Sequence, residues 1–148
     1  MSCGWTSCDR LVRRMVSWGE ARGVCGRWRI GVYLLGKAYG GYKAGEKTRE
    51  LPVDGIKEEL VAHGQAGQFY RHLHFHIGCR FLGWPGWLAS WFMNQVDEKQ
   101  AATGRGESAV EVKDNVAAWA CAEVLKERSR RRLTRREAGE KLREIVAS

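Results

Sequence analysis

Apolar positions along the chain recur mainly at helical spacing, three and four residues apart, and glycines, prolines and capping residues punctuate them. The first such segment follows Asp9, a candidate N-cap, and carries Leu11, Val12, Met15 and Val16 until Gly23 and Gly26 close it. Trp28, Ile30, Val32, Tyr33, Leu34, Leu35 and Tyr39 form a compact apolar run that reads as a helix. Gly40, Gly41 and Gly45 then make a loop among Lys and Glu. That loop has no GK[ST] ending and follows no strand, so it carries no nucleotide-binding signature.

Pro52 breaks the chain, and Asp54 caps a short helix with Ile56, Leu60 and Val61 that runs to about His63. A helix over roughly 67–82 ends at Gly83, and Pro85 opens the next, over about 85–100. Trp87, Leu88, Trp91, Phe92 and Val96 fall on one side of it. After a loop at 103–106, the longest helix runs from Ser108 to about Ser129, with Val112, Val116, Trp119, Ala120, Val124 and Leu125 as its apolar stripe. Thr134 and Glu137 form a capping box for the last helix, with Leu133 in the staple position. Ala138, Leu142, Ile145 and Val146 are its apolar face. The expected fold is all-α, a small bundle of five to six helices in one domain over 1–148. Within it, 52–130 is the central helical core and 131–148 the C-terminal helix. Residues 1–27, rich in Trp, Cys, Arg and Gly, read as a loosely packed arm.

Composition adds three points. At 148 residues, 44% hydrophobic and 28% charged, the chain can bury a core of its own. No apolar run is long enough for a transmembrane segment, and no secretory h-region is present. The cytoplasm is therefore the default compartment, with non-classical export left open. The five cysteines are odd in number and lack a CxxC, which argues for reduced thiols. The net charge of +8 is unevenly placed, with +6 in residues 1–50, −3 in 51–125 and +5 in 126–148. Basic arms thus flank a mildly acidic centre, and they suit an anionic partner such as nucleic acid or a membrane surface. The densest basic run, Lys126 to Arg132, presents Arg130, Arg131 and Arg132.

The acidic centre holds all four histidines: His63, His72, His74 and His76. On a helix, His72, His76 and Cys79 share a stripe and His74 points elsewhere. Two imidazoles one turn apart can bind a divalent metal such as zinc or manganese, with a thiolate or carboxylate completing the set. The competing reading is a set of partly buried histidines that hydrogen-bond within a polar seam. Orienting partners would come from Asp97 and Glu98, or from Glu111, Asp114 and Asn115. Glu111, Asp114, Asn115 and Ala118 form one stripe, and the small residues Ala117 and Ala118 would let the histidine helix come close. The aromatic stretch Phe81 to Met93 reads as a helix–turn–helix corner packed in the core. Its alternative is a resting place at a membrane interface.

Taken in order, these residues resemble a bacterial helical domain of polymorphic-toxin-like and secreted proteins, whose pattern is RH, then HE, then DxxNNxxG. Arg71-His72 match the RH, and Asp97-Glu98 stand where HE is usual. Glu111, Asp114, Asn115 and Ala118 stand for the Asp, Asn, Asn and Gly. The similarity spans about 66–125, and only Arg71, His72, Glu98 and Asn115 match as they stand. The resemblance implies a polar site shared between helices.

Two functions follow. The first is a metal-dependent hydrolase acting on a phosphodiester or phospholipid. In it His72 is a ligand or general base with His76 beside it, Glu98 with Glu111 or Asp114 supplies further ligands or an acid–base partner, Asn115 joins the site, and Arg71 binds an anionic group. The second is a non-enzymatic basic helical module that binds nucleic acid, an anionic membrane or a protein partner through its basic arms.

Overall fold

The computed structural model describes residues 5–39, 66–104 and 106–147. Among them it is all-α, with six helices: α1 (Trp5–Trp18), α2 (Gly23–Tyr39), α3 (Ala66–Phe81), α4 (Trp84–Ala102), α5 (Gly106–Ser129) and α6 (Arg135–Ala147). The short helix expected over 54–63 lies outside the described residues. Helix α3 packs against α2, α4 and α5, while α1 and α6 pack on each other and on α5.

The N-terminal helix departs from expectation in two ways. Asp9 lies inside α1 and is not its cap, and Gly23, with φ of 73°, opens α2 instead of closing α1. Leu11, Val12, Met15 and Trp18 are buried, at spacings that make a single stripe against α6. Residues 11–18 are therefore part of the core, not a loose arm. Three arginines tie down the turn that follows: Arg128, Arg131 and Arg135 all reach the Glu20 carboxylate at 3.1–3.3 Å. These cations hold that carboxyl below its ordinary range, with the Arg128 hydrogen bond the largest cause.

The three helices around α3 approach it closely because their facing residues are small. Gly31 of α2 crosses Gly78 of α3, where a Cβ on either would lie 2.9–3.0 Å from the other's carbonyl oxygen. Gly86 of α4 sits directly on the Cys79 carbonyl, and a Cβ there would overlap it. Helix α5 offers Ala118, Cys121 and Ala122, all fully buried. Leu73, Ile77 and Phe81 of α3 then fill the core with Leu34, Leu125, Leu142 and Met15.

Helix α4 is oriented opposite to the sequence expectation. Its buried residues are Gly86, Ser90, Asn94 and Asp97. Trp87, Leu88, Trp91 and Phe92 face outward, and Trp84 is 78% exposed, whereas Ser90 is fully buried. The corner expected in the core is thus a surface. Steric fit is the reason: an indole cannot occupy a crossing that excludes a methyl group. The stripe of α5 shifts similarly. Val116 is 53% exposed, and the buried line runs through Asn115, Ala118, Cys121, Ala122, Leu125 and Ser129.

At the last helix the capping box forms as its residues dictate. The Glu137 amide donates to Thr134 Oγ1 at 3.1 Å, and the Thr134 amide donates to Glu137 Oε1 at 3.1 Å. The glycine contacts generate a paired test. Gly86→Ala should lose stability in urea unfolding, because an overpacked core costs about 1–3 kcal/mol, more than the ~1 kcal/mol of helix propensity gained. Gly36→Ala, whose Cβ would meet nothing within 4 Å, should gain up to about 1 kcal/mol.

Candidate functional site

Helices α3, α4 and α5 bring three ligand-type side chains together near one end of the bundle. An imidazole nitrogen of His72 and carboxylate oxygens of Asp97 and Glu111 all lie within 4.8 Å of one another. His72 comes from α3, Asp97 from the last turns of α4, and Glu111 from the first turns of α5. Asp97 reaches the site because it continues the inward line Gly86, Ser90, Asn94. Glu98, one residue on and about 100° around the helix, falls on the outward side.

Asn115, fully buried, is the hub of this site. Its Nδ2 donates to Asp97 Oδ2 at 2.8 Å and to Asn94 Oδ1 at 3.0 Å. Asn94 is itself oriented, since its Nδ2 donates to Glu98 Oε1 at 3.2 Å. A carboxylate only accepts, so each amide in this chain has one possible orientation. The Asn115 Oδ1 must therefore face His72, and His72 Nδ1–H donates to it. This places a proton on Nδ1, so that Nε2 is the ring nitrogen with a lone pair to offer a metal in the neutral form.

The other predicted residues are distributed around this centre. His76 is buried one turn along α3, its ring centroid 5.8 Å from that of His72. Trp119 Nε1–H donates to Ser90 Oγ at 2.7 Å, which leaves the Ser90 hydroxyl proton for His76 Nδ1 at 2.6 Å. Burial, and then the nearby His72, push the His76 pKa down to about 3, so the ring is neutral. His74 points away and meets the edge of Trp18, with ring centroids 5.0 Å apart. Burial raises the Cys79 thiol to about 11, and its sulfur is not among the ligand atoms that converge with His72. Asp114 is half-buried, and its Oδ2 has no hydrogen-bond partner among the described residues. Desolvation pushes its pKa up to about 6. Glu98 is exposed and acts on the site only through Asn94.

Beside the cluster opens a cleft of about 470 Å³. Arg71, His72, Asp97 and Glu111 form its polar wall, and Ala38, Phe75, Met93 and Val96 its apolar one. That size suits a small ligand group with an apolar portion. The basic run at the end of α5 lies elsewhere and is largely paired. Arg131 contacts Glu20, while Arg130 and Arg132 both contact Glu127, at 3.7 and 3.4 Å.

Asp97, Asn94 and Ser90 are the residues that sequence reasoning undervalued. Their signal was present as the line of small and polar residues at 86, 90, 94 and 97, spaced four, four and three apart.

The titrating groups lead to two expectations. In an NMR titration His76 should stay neutral down to about pH 3. Asp114 has a folded pKa raised from 3.8 to about 6, so the stability it contributes is full below 3.8 and is lost as pH rises through 6. Asp114→Asn should then stabilise the fold at pH 8 by about 1 kcal/mol, allowing for solvent screening, and leave it unchanged at pH 3. Compared with known proteins, the chain matches no family model, no curated protein and no solved structure.

Proposed function

We propose that this protein is a small metal-dependent hydrolase whose site is the cleft between α3, α4 and α5. The observation that carries the reading is the convergence of His72, Asp97 and Glu111, with the imidazole orientation set by a buried amide. One imidazole and two carboxylates form a donor set suited to zinc or manganese. A bound divalent ion would supply Lewis acidity and a more acidic water.

The remaining roles belong to the chain's own side chains. Arg71, on the cleft wall, suits a phosphate oxygen, as a guanidinium favours that geometry. Asp114 titrates at about 6 beside the cluster, a range fit for exchanging a proton near neutral pH. Asn115, Asn94 and Glu98 act as positioning residues for His72. Phe75, Met93 and Val96 would take the apolar part of a substrate, which favours a lipid or aryl phosphodiester over a fully polar one. The likeness of Arg71-His72 and Asn115 to the toxin-like helical pattern agrees with a site at these positions.

Metal content of the purified, tag-free protein tests the reading. About one divalent ion per chain is expected after supplementation with zinc or manganese, and it should be lost in His72→Ala and Asp97→Asn. His76→Ala should keep the ion. Asn115→Ala should weaken its retention by about 10–100-fold, the usual effect of removing a ligand's outer hydrogen-bond partner. A protein that stays metal-free after supplementation would overturn the metalloenzyme reading.

A further inference from the structure

The aromatic face that α4 turns outward lies on the opposite side of the helix from Asp97 and the His72 cluster. Trp84, Trp87, Leu88, Trp91 and Phe92 recur at helical spacing on one side of α4 and are all exposed. They cover about 12 Å of helix length. Scattered apolar residues are ordinary on a surface, but a contiguous stripe with three indoles marks an interaction site.

The same end of the bundle is strongly basic. Gly31 of α2 touches Leu82 just before α4, and Arg27 Nη1–H donates to Ser129 Oγ at 3.1 Å. The first turns of α2 and α4 and the last turns of α3 and α5 therefore meet at one end. Trp28 of α2, in the first turns of its helix, is also 54% exposed. Residues 20–32, 80–92 and 119–132 together carry nine basic and three acidic side chains. Of the acids, Glu20 and Glu127 are each paired with two or more arginines. The Arg80 guanidinium, only 6% exposed, lies beneath this face, stacked on Trp87 at 3.5 Å and on Trp119 at 4.8 Å, so the exposed cations of the flank come from α2 and the end of α5. Asp97, Glu98, Glu111 and Asp114 lie toward the opposite end.

We infer that the N-terminal half of α4, with Trp28 and its basic flank, docks the protein on an anionic lipid bilayer surface. Indole rings favour the headgroup level, where the ring is buried and the N–H stays wet. Arginine and lysine beside them add attraction to anionic headgroups. Leu88 and Phe92 supply the apolar anchor that purely electrostatic binding lacks. A second copy fits this face less well, since symmetric pairing would bring two basic flanks together. No helix among the described residues is long and apolar enough to cross a membrane, so the contact is one of surface docking.

The test is flotation of the full-length protein with vesicles of phosphatidylcholine, alone or mixed with phosphatidylglycerol. Binding is expected to the mixed vesicles, to weaken with salt, and to bring tryptophan emission under quenching by brominated acyl chains. Trp84→Ser/Trp91→Ser and Arg130→Glu/Arg132→Glu should each reduce it by about tenfold or more with helical content intact. Failure to float at low ionic strength overturns the inference, as does binding that the tryptophan pair leaves unchanged. A lipid-indifferent dimer that Trp84→Ser/Trp91→Ser dissociates would assign the face to a second copy. Salt-sensitive DNA or RNA binding without vesicle binding would assign the basic flank to nucleic acid.

Discussion

The close approach of three helices to α3 governs this structure. At Gly31, Gly78 and Gly86, backbone meets backbone with no room for a Cβ. Such crossings are specific because their tolerance is less than one methyl group, whereas a leucine-rich seam can adjust its side chains. Once α4 lies on Cys79 through Gly86, the rotation of α4 about its axis is settled. The line through Gly86 must face inward, and the residues a turn along it, Ser90, Asn94 and Asp97, follow.

That rotation creates the polar layer. Buried polar groups are tolerable only when satisfied, since an unpaired amide or hydroxyl in a core costs about 1–3 kcal/mol. Ser90 meets its demand between Trp119 and His76, and Asn115 between His72, Asn94 and Asp97. The layer thus reads in one direction, from carboxylates through amides to a defined imidazole tautomer. Two histidines one turn apart acquire different characters from it. His76 is a buried neutral ring locked to a serine, and His72 is a cleft residue whose Nδ1 is held by Asn115.

The same rotation sends the aromatic residues of α4 outward. A small-residue face inside and an indole face outside are two sides of one choice. Among the described residues, the cleft with His72, Asp97 and Glu111 thus lies toward one end of α4, and the exposed tryptophans toward the other. This separates the chemistry proposed for the cleft from the surface proposed to meet lipid.

Much of this was legible from the residues alone. Helical periodicity and punctuation specified an all-α chain, the bounds of α3 and α4 within a few residues, and the capping box of α6, because those signals are local. The stripe of Glu111, Asp114, Asn115 and Ala118, facing the histidine helix over small residues, was also visible. The sequence could not decide which face of α4 is buried. Hydrophobicity alone favoured the tryptophan side, and the resemblance to the toxin-like pattern favoured Glu98 over Asp97. Burial depends on the shape of the opposing surface as well as on the apolar area of the residue. The glycines at 31, 78 and 86 act only when their helices meet, across long sequence separation. The chain by itself determined the helices and the inventory of chemical groups. The tertiary packing alone decided which of those groups converge, because that depends on contacts too close for any side chain to adjust.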